Sequence, residues 1–188
     1  MQKKIVAIYG SYRKNGNSSF ILNTVLNSIN KEVVEIQKYY LSDMNISSCK
    51  GCFYCRKNEN CIIRDDMDTL IKSIKNADKV IISIPIFMFQ ASGNIKLMLD
   101  RLYPLLEGEN GLYTKRMNDK DTIVIYSQGS PNNDSFSKYM ELNKTSFSLL
   151  GFDIKNTLIC TKSNNIGTAK NNLDLSSQAE NIGKHLFE

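Results

Sequence analysis

The chain alternates short apolar runs with segments of helical periodicity, which limits the folds open to it. Apolar or β-branched runs that predict strands occupy residues 4–9, 33–41, 79–85, 122–126 and 153–160. Each run is followed by a segment with apolar residues every three or four positions, at residues 20–29, 67–74, 95–106, 136–150 and 175–186. Strands that alternate with helices form a parallel sheet with helices on both faces. We therefore predict one α/β domain over residues 1–188, built on a doubly wound, five-stranded parallel sheet.

Length, composition and charge exclude several classes of protein. The chain has 188 residues, 41% hydrophobic and 23% charged, as in ordinary globular domains. Apolar runs stay below the roughly 18 residues of a membrane span, and the first is too short for a secretory signal, so we expect a cytoplasmic protein without a membrane. The net charge of +5 is spread along the chain, so we expect no nucleic-acid partner. The single histidine, His185, excludes histidine-rich metal sites, and we expect a surface or capping residue.

The loop at residues 10–19 joins the first strand to the first helix. Such a loop directs backbone N–H groups and the positive end of the helix dipole at an anion. Ser18 and Ser19 are expected to cap the helix and to bond phosphate oxygens. Two common phosphate motifs fail here, because they need glycine where Tyr12 and Asn15 stand. The alternative is a surface turn with a helix cap.

Two further loops follow predicted strands, at residues 86–93 and 127–133. The first is apolar, and its residues Phe87, Met88 and Phe89 either flank a flat aromatic ring or pack in the core. The second is polar. Because the carboxyl ends of parallel strands meet at one edge of the sheet, we expect these loops and the loop after the first strand to form one ligand site. We read residues 107–120 as a connection and expect Pro85 to end its strand.

Four of the five cysteines, Cys49, Cys52, Cys55 and Cys61, lie within thirteen residues. The C-x2-C-x2-C start resembles that of ferredoxins, and four thiolates suit a 4Fe–4S cluster with one thiolate on each iron. A structural zinc site, or a loop without metal, remains as an alternative. Disulfides are disfavoured by the odd cysteine count and the absence of an export signal. The fifth cysteine, Cys160, is expected to be a buried thiol.

The chain resembles the flavodoxin-like NADPH-dependent FMN reductase family. Its first loop reads Gly10-Ser-x-Arg-x-x-Gly-Asn-Ser18, like the phosphate loop of that family. Pro85-Ile-Phe and Ser92-Gly-Asn-Ile-Lys-x-x-x-Asp-Arg101 resemble the second flavin loop and the helix after it. The cysteine run at residues 47–64 resembles the cluster loop of the iron–sulfur flavoprotein branch.

This resemblance implies strand order 2-1-3-4-5, with FMN at the switch point of the sheet. The residues implied for the phosphate are Ser11, Arg13, Asn17, Ser18 and Ser19. Those implied for the isoalloxazine ring are Pro85, Ile86, Phe87, Met88 and Phe89. Those implied for the polar edge of the ring are Ser127, Gln128 and Gly129. The iron ligands implied are Cys49, Cys52, Cys55 and Cys61.

Two residues depart from the pattern of the family, which often has tyrosine where Phe87 stands and glycine near Phe89. Phenylalanine at position 89 is expected to crowd the ring face on which a nicotinamide would stack. This crowding disfavours direct oxidation of NAD(P)H, whereas FMN binding is still expected.

The resemblance implies an FMN-dependent oxidoreductase that passes electrons among a donor, FMN, the 4Fe–4S cluster and an acceptor. Ferredoxin and NAD(P)H are the candidate donors, and small molecules or another protein are the acceptors. Relatives form dimers or tetramers, so a homo-oligomer is implied. Because the redox chemistry belongs to the cofactors, we assign no catalytic side chain. The alternatives are a NAD(P)H-dependent FMN or quinone reductase without a cluster, and a non-enzymatic carrier like flavodoxin.

Overall fold

The structure of the protein is a computed structural model, which describes residues 2–109 and 111–187. The strands are β1 (Lys3–Tyr9), β2 (Val34–Tyr40), β3 (Lys79–Phe87), β4 (Gln90–Ala91), β5 (Leu106–Glu109), β6 (Leu112–Lys115), β7 (Lys120–Ser127) and β8 (Phe152–Cys160). The α-helices are α1 (Asn17–Asn27), α2 (Tyr54–Lys57), α3 (Asp66–Asn76), α4 (Gly93–Asp100), α5 (Ser137–Leu150) and α6 (Leu173–Lys184). Short 3-10 helices cover Tyr103–Leu105 and Asn133–Phe136.

The central sheet has the order β2-β1-β3-β7-β8, and all neighbours on this path are parallel. Among the five parallel strands this is the order 2-1-3-4-5, so the predicted flavodoxin-like α/β fold is confirmed. The order reverses between β1 and β3, and at such a reversal the loops diverge and leave a crevice.

Both faces of the sheet are covered, as the apolar strands require. In β1, Val6 and Ile8 join the core formed with α3, α4 and α5, whereas Ile5 and Ala7 join the core formed with α1 and α6. This period of two divides each strand between the two cores. It explains why the strand sequences are apolar throughout rather than alternating.

Pro85 does not end its strand, contrary to expectation, because β3 continues to Phe87. The pairing of β1 with β3 ends at Tyr9 and Ser83, so the missing N–H of Pro85 removes no bond to β1. Beyond Pro85, β3 pairs with the two-residue strand β4. The expected apolar loop is therefore mostly a tight β-hairpin.

The helix expected over residues 95–106 is shorter and is followed by a 3-10 turn, because α4 ends at Asp100 and Pro104 lies just beyond it. The connection expected at residues 107–120 contains the antiparallel pair β5 and β6. The Asn-Gly pair at positions 110–111 is a sequence typical of hairpin turns, and Gly111 has a φ of +82°. This hairpin was missed because its strands are too short and polar to show alternation.

In the described ranges, which omit residues 1, 110 and 188, no helix is both long and apolar enough to cross a membrane.

Candidate functional site

Four loops at the carboxyl edge of the sheet surround a cleft of about 360 Å³. We call it the four-loop cleft, and its volume lies within the usual range of small-molecule sites. The residues that line it are Ser11, Tyr12, Arg13, Gly16, Asn17, Ser18, Pro85, Phe87, Ser127, Ser163, Asn164 and Ile166. The three loops predicted from the sequence therefore do converge, and a fourth loop joins them.

The first loop presents the N-terminus of α1 to the cleft. Gly16 is the N-cap, and because glycine has no side chain it makes no side-chain capping hydrogen bond to the first N–H groups of the helix. Ser18 and Ser19 lie inside the first turn instead, so the expectation that they cap the helix is wrong. Ser11 Oγ accepts a hydrogen bond from the Arg13 backbone N–H at 3.1 Å, which holds the loop in shape. Uncapped N–H groups with an arginine beside them suit an anion.

Asn17 and Ser19 are engaged within the protein. The Asn17 amide donates to the carbonyls of Ser163 and Asn165, at 3.1 and 2.8 Å, and accepts from Ala169 N–H at 3.0 Å. Ser19 is buried, and its hydroxyl donates to the Arg13 carbonyl at 3.3 Å. Asn17 therefore joins the first loop to the fourth.

The second loop brings Pro85 and Phe87 to the cleft. Ile86 packs in the core, and Met88 and Phe89 form the exposed tip of the hairpin. Both tip residues have positive φ, +45° and +68°, as two-residue hairpin turns require. Glycine would meet this requirement without strain, whereas Met88 and Phe89 meet it at a cost in backbone energy.

The tip is held from the side by the region before and within α5. The Phe89 ring contacts the edge of Phe136, with centroids 5.5 Å apart. The Tyr139 hydroxyl accepts a hydrogen bond from Ala91 N–H at 2.8 Å. These two contacts hold the strained turn in place.

The third loop carries Ser127, Gln128 and Gly129. Ser127 lines the cleft, Gln128 is buried behind it and Gly129 is exposed. The Gln128 Nε2 group donates to Asn132 O at 2.6 Å, but its Oε1 atom is buried without a hydrogen-bond partner among the described residues. An unpaired buried acceptor is costly and suits a ligand that donates.

The fourth loop, which follows β8, was not predicted. It supplies Ser163, Asn164 and Ile166 to the cleft. The Ser163 hydroxyl and N–H both bond to the Gln128 carbonyl, at 2.8 and 2.9 Å, so the third and fourth loops support each other. The sequence did contain a signal for this loop, because its polar residues follow a predicted strand and therefore lie at the same edge of the sheet.

The four clustered cysteines lie on an irregular loop between β2 and α3, broken by the one-turn helix α2. All are free thiols: Cys49 and Cys52 are exposed, Cys55 is half-buried and Cys61 is buried. The sulfurs of Cys49 and Cys61 accept backbone N–H bonds from Gly51 and Ile63, at 3.5 and 3.4 Å. Such N–H donors to sulfur are a feature of iron–sulfur sites.

The four thiols are near enough to act on one another. Burial raises the pKa of Cys55, and the neighbouring charges of Cys61, Cys49 and Cys52 raise it further. Among the residues that the structure describes, however, no three histidine, cysteine or acidic side chains form a group able to hold a metal ion. A tetrahedral zinc site holds its four sulfurs only about 3.8 Å apart. A 4Fe–4S cluster binds each thiolate to a different iron, so its four sulfurs lie farther apart than those of a zinc site.

Two arginines flank the middle of this loop. The Arg116 guanidinium donates to the carbonyls of Cys55, Asn58 and Arg56, at 2.8 to 2.9 Å. It thereby caps the carboxyl end of α2 with a cation. Arg56 lies over the Phe53 ring at 3.9 Å, and its buried Nε has no partner among the described residues. An anionic group in the loop would satisfy such a donor.

A buried ion pair closes the base of the loop. The Arg101 and Asp65 side chains are 1% and 3% exposed, and they form two hydrogen bonds of 2.6 and 3.0 Å. Asp65 Oδ1 also accepts from Met67 N–H at 3.1 Å, which makes Asp65 the N-cap of α3. Aspartate is among the residues that favour this position. The arginine partner was not foreseen.

This ion pair predicts a pH dependence of stability. Burial alone would raise the pKa of Asp65, but the bonds from Arg101, Ser47 and Met67 lower it overall. The stabilisation is therefore complete above about pH 4 and is lost as pH falls through the lower pKa of the folded state. Asp65→Asn should lose about 3 kcal/mol in unfolding free energy near neutral pH, because the buried charge of Arg101 is left without a counter-charge.

The difference between Asp65→Asn and the parent chain should shrink in acid, because the parent carboxyl binds a proton more readily in the unfolded state, where its pKa is not lowered, and this stabilises the unfolded state. Urea unfolding near neutral pH and at about pH 3 measures it. A gap that stays constant between the two conditions would show that Asp65 is not ionised in the folded protein.

Other candidate features lie outside these two sites. Cys160 is buried at the end of β8, and burial raises the pKa of its thiol. His185 is exposed at the end of α6, where its ring contacts the Asn181 carbonyl at 2.9 Å. An apolar cavity of about 390 Å³ lies between α4, α5 and the β5–β6 hairpin, and none of the predicted site residues lines it.

The family model for NADPH-dependent FMN reductases matches residues 3–131. An iron–sulfur flavoprotein from Archaeoglobus fulgidus is 35% identical over 129 residues, which are 66% of this chain and 54% of that protein. One from Methanocaldococcus jannaschii is 34% identical over 105 residues, which are 56% of this chain and 54% of that protein. The chain thus spans about half the length of these curated relatives.

Solved structures agree on the fold. An FMN-dependent NADH-azoreductase from Bacillus anthracis, solved in complex with FMN, superposes with a TM-score of 0.73 over 100% of both chains at 14% identity. An NAD(P)H:quinone oxidoreductase from Methanothermobacter marburgensis gives 0.74, at 13% identity, over 99% of this chain and 100% of that one. At such identities the likeness is one of fold alone. The match of the family model goes further: this chain, which is similar to the iron–sulfur flavoproteins named above, belongs to the NADPH-dependent FMN reductase family.

Proposed function

We propose that this chain is an FMN-dependent oxidoreductase that binds FMN in the four-loop cleft and a 4Fe–4S cluster on the cysteine loop. The observation that carries the proposal is the presence, in one chain, of a cleft at an uncapped helix N-terminus and a loop with four free thiols. Family membership supports FMN, and the names of the relatives support the cluster.

In the cleft, the N–H groups at the start of α1 and the side chains of Ser11, Arg13 and Ser18 would hold the phosphate. Pro85 and Phe87 would contact the ring, and the buried Gln128 Oε1 atom suits an N–H donor of the ring, with Ser127 and Gly129 near it. Asn17 and Ser19 would act by holding the loops in place rather than by touching the ligand. Ile86 supports the strand from the core, and Met88 and Phe89 present the exposed tip.

On the cysteine loop, Cys49, Cys52, Cys55 and Cys61 would be the iron ligands. The unpaired buried donors Arg56 Nε and Arg101 Nε suit an anionic cluster with thiolate ligands. When bound, FMN exchanges electrons in pairs or singly and the cluster exchanges one at a time, which gives one chain a use for both. The side chains bind, orient and exclude water, and we assign none as a catalytic acid or base.

We propose ferredoxin or NAD(P)H as the electron donor and a small molecule or another protein as the acceptor. The five free thiols suit a reducing compartment, the cytoplasm. Residues 1–188 would act as one FMN-binding domain, with residues 47–64 as its cluster loop. We propose a homodimer or homotetramer as its assembly.

Anaerobic stopped-flow mixing with reduced ferredoxin, NADH or NADPH tests the donor. Bleaching of the flavin absorbance within seconds by one of them is the expected result. If none reduces the bound flavin, the donor assignment is wrong.

The second candidate is a NAD(P)H-dependent reductase without a cluster. It is favoured by the exposure of Cys49 and Cys52 and by the lack of a metal-binding group among the described residues. Iron and sulfide near zero in protein made without oxygen would select it.

Asn17→Ala should weaken FMN binding by about tenfold without abolishing it, because the two loops it joins lose three hydrogen bonds. Fluorescence titration of FMN into flavin-free protein measures the change. Asn27→Ala is the control, since Asn27 is exposed at the other end of the same helix. Equal affinity in both variants would show that the bridge between the loops does not shape the site.

A further inference from the structure

Helix α4 runs from the four-loop cleft to the cysteine loop. At its start, the Ser92 hydroxyl donates to the Gly10 carbonyl at 2.8 Å, beside the first loop of the cleft. At its end, Arg101 occupies the C-cap and enters the base of the cysteine loop. The eight residues of the helix span about 12 Å. One short, rigid element therefore contacts both candidate cofactor sites.

Arg101 binds both ends of the cysteine loop at once. Its Nη1 atom donates to the Ser47 carbonyl at 2.6 Å, two residues before the first cysteine. Its Nη2 atom approaches the Ile63 carbonyl at 3.4 Å, two residues after the last cysteine, and both nitrogens contact Asp65. Asp65 reinforces this closure, because its Oδ2 atom accepts from Ser47 N–H at 2.9 Å.

The contacts continue to the buried ligand candidate. Ile63, whose carbonyl lies near Arg101, donates its N–H to Cys61 Sγ at 3.4 Å. The Nε atom of Arg101 is buried without a partner among the described residues.

A buried ion pair is a poor means of stabilising a fold, because well-packed apolar residues often do as well or better. A buried arginine ion pair is better suited to fixing local geometry, because the guanidinium group bonds several acceptors in a defined plane. Here the acceptors lie on both sides of the cysteines. The arrangement therefore fits a role in shaping the loop.

We propose that Arg101 is the positioning residue of the cysteine loop. It holds both ends of the loop, so that the segment at residues 61–64, which we call the Cys61 arm, is fixed before any metal binds. The proposal rests on the proposed function in giving these cysteines a cluster. It also makes α4 the link that fixes the cysteine loop relative to the cleft.

Hydrogen exchange on metal-free protein tests the role directly. Arg101→Lys keeps the charge beside Asp65 but cannot bond Ser47, Ile63 and Asp65 together. The Ser47 amide should exchange about tenfold faster in this variant, because its acceptor Asp65 is no longer held. Amides in β3 should exchange at the parental rate, which shows that the fold is intact.

Arg64→Lys is the matched control. Arg64 lies on the same arm, three residues from Cys61, but is exposed and pairs with Asp68 in solvent. Its replacement should leave the Ser47 amide unchanged. Unchanged exchange in Arg101→Lys, or equal acceleration in Arg64→Lys, would overturn the proposal.

A second readout concerns the metal. After anaerobic reconstitution, Arg101→Lys should hold clearly less iron per chain than the parent or Arg64→Lys, or show a shifted reduction potential for the cluster. Faster exchange with parental iron content and potential would overturn the positioning role. If the parent itself takes up no iron, the cluster assignment fails, and exchange alone then decides whether Arg101 orders the loop.

Discussion

Cys61→Ser is expected to lower the iron and acid-labile sulfide of anaerobically prepared protein from about four of each per chain to below one. Cys61 is the buried member of the four and accepts an N–H bond from Ile63, so its arm is the best fixed. Serine keeps the size of the side chain but is a much weaker iron ligand at neutral pH, because its hydroxyl stays protonated. Iron and sulfide analysis, with the visible spectrum, measures the loss.

Cys160→Ala is the matched control for this loss. Cys160 is the fifth cysteine and is buried at the end of β8, outside the cysteine loop. It should keep the parental iron content, and both variants should still bind FMN. Full iron content in Cys61→Ser would remove Cys61 from the ligand set.

Gly10→Ala is expected to lower the free energy of unfolding by about 3 kcal/mol and to weaken FMN binding with it. A Cβ atom at Gly10 would lie 2.3 Å from Ile95 Cγ1 and 2.6 Å from the Ser83 carbonyl. Backbone cannot move aside as a side-chain tip can, so β3 and α4 must shift together. Because Gly10 begins the first loop of the cleft, the shift reaches the ligand site. Urea unfolding and FMN titration measure the two effects.

Gly93→Ala serves as the control for that substitution. Gly93 is the first residue of α4, and a Cβ atom there would meet nothing within 4 Å. We expect a change within about 1 kcal/mol, in the stabilising direction, since alanine favours the helix. Equal effects at Gly10 and Gly93 would show that close packing between β3 and α4 does not decide the outcome.

The fold could be predicted because its signals are local and repeated. Runs such as residues 79–85 are apolar on both faces, and only a sheet covered on both sides buries them. The predictions failed where a neighbouring element decides the conformation. Pro85 stays in its strand because β1 has already ended beside it, and this pairing cannot be seen in the sequence of β3.

The site could be predicted in part for the same reason. Loops after strands are visible, so the residues of three loops were named, and Ser11, Arg13, Pro85, Phe87 and Ser127 do line the cleft. What each side chain bonds was not visible. Asn17 reads as a phosphate ligand from its position in the loop, yet its amide is engaged by a segment about 150 residues away.

The arginines of the cysteine loop show the limit most clearly. Arg101 and Arg116 lie 40 and 55 positions beyond Cys61, and nothing in their immediate sequence ties them to it. Tertiary contacts bring them to the loop, at the end of α4 and after β6. An arginine that bonds a backbone carbonyl far away in the sequence follows no residue spacing from which the contact could be predicted.

The most direct test of the account is the content of flavin, iron and acid-labile sulfide in protein expressed with iron and purified without oxygen. We predict one FMN, about four iron and about four sulfide per chain. FMN without iron would contradict the cluster and leave a flavin reductase. Absence of both FMN and iron would contradict the assignment of the four-loop cleft and of the cysteine loop together.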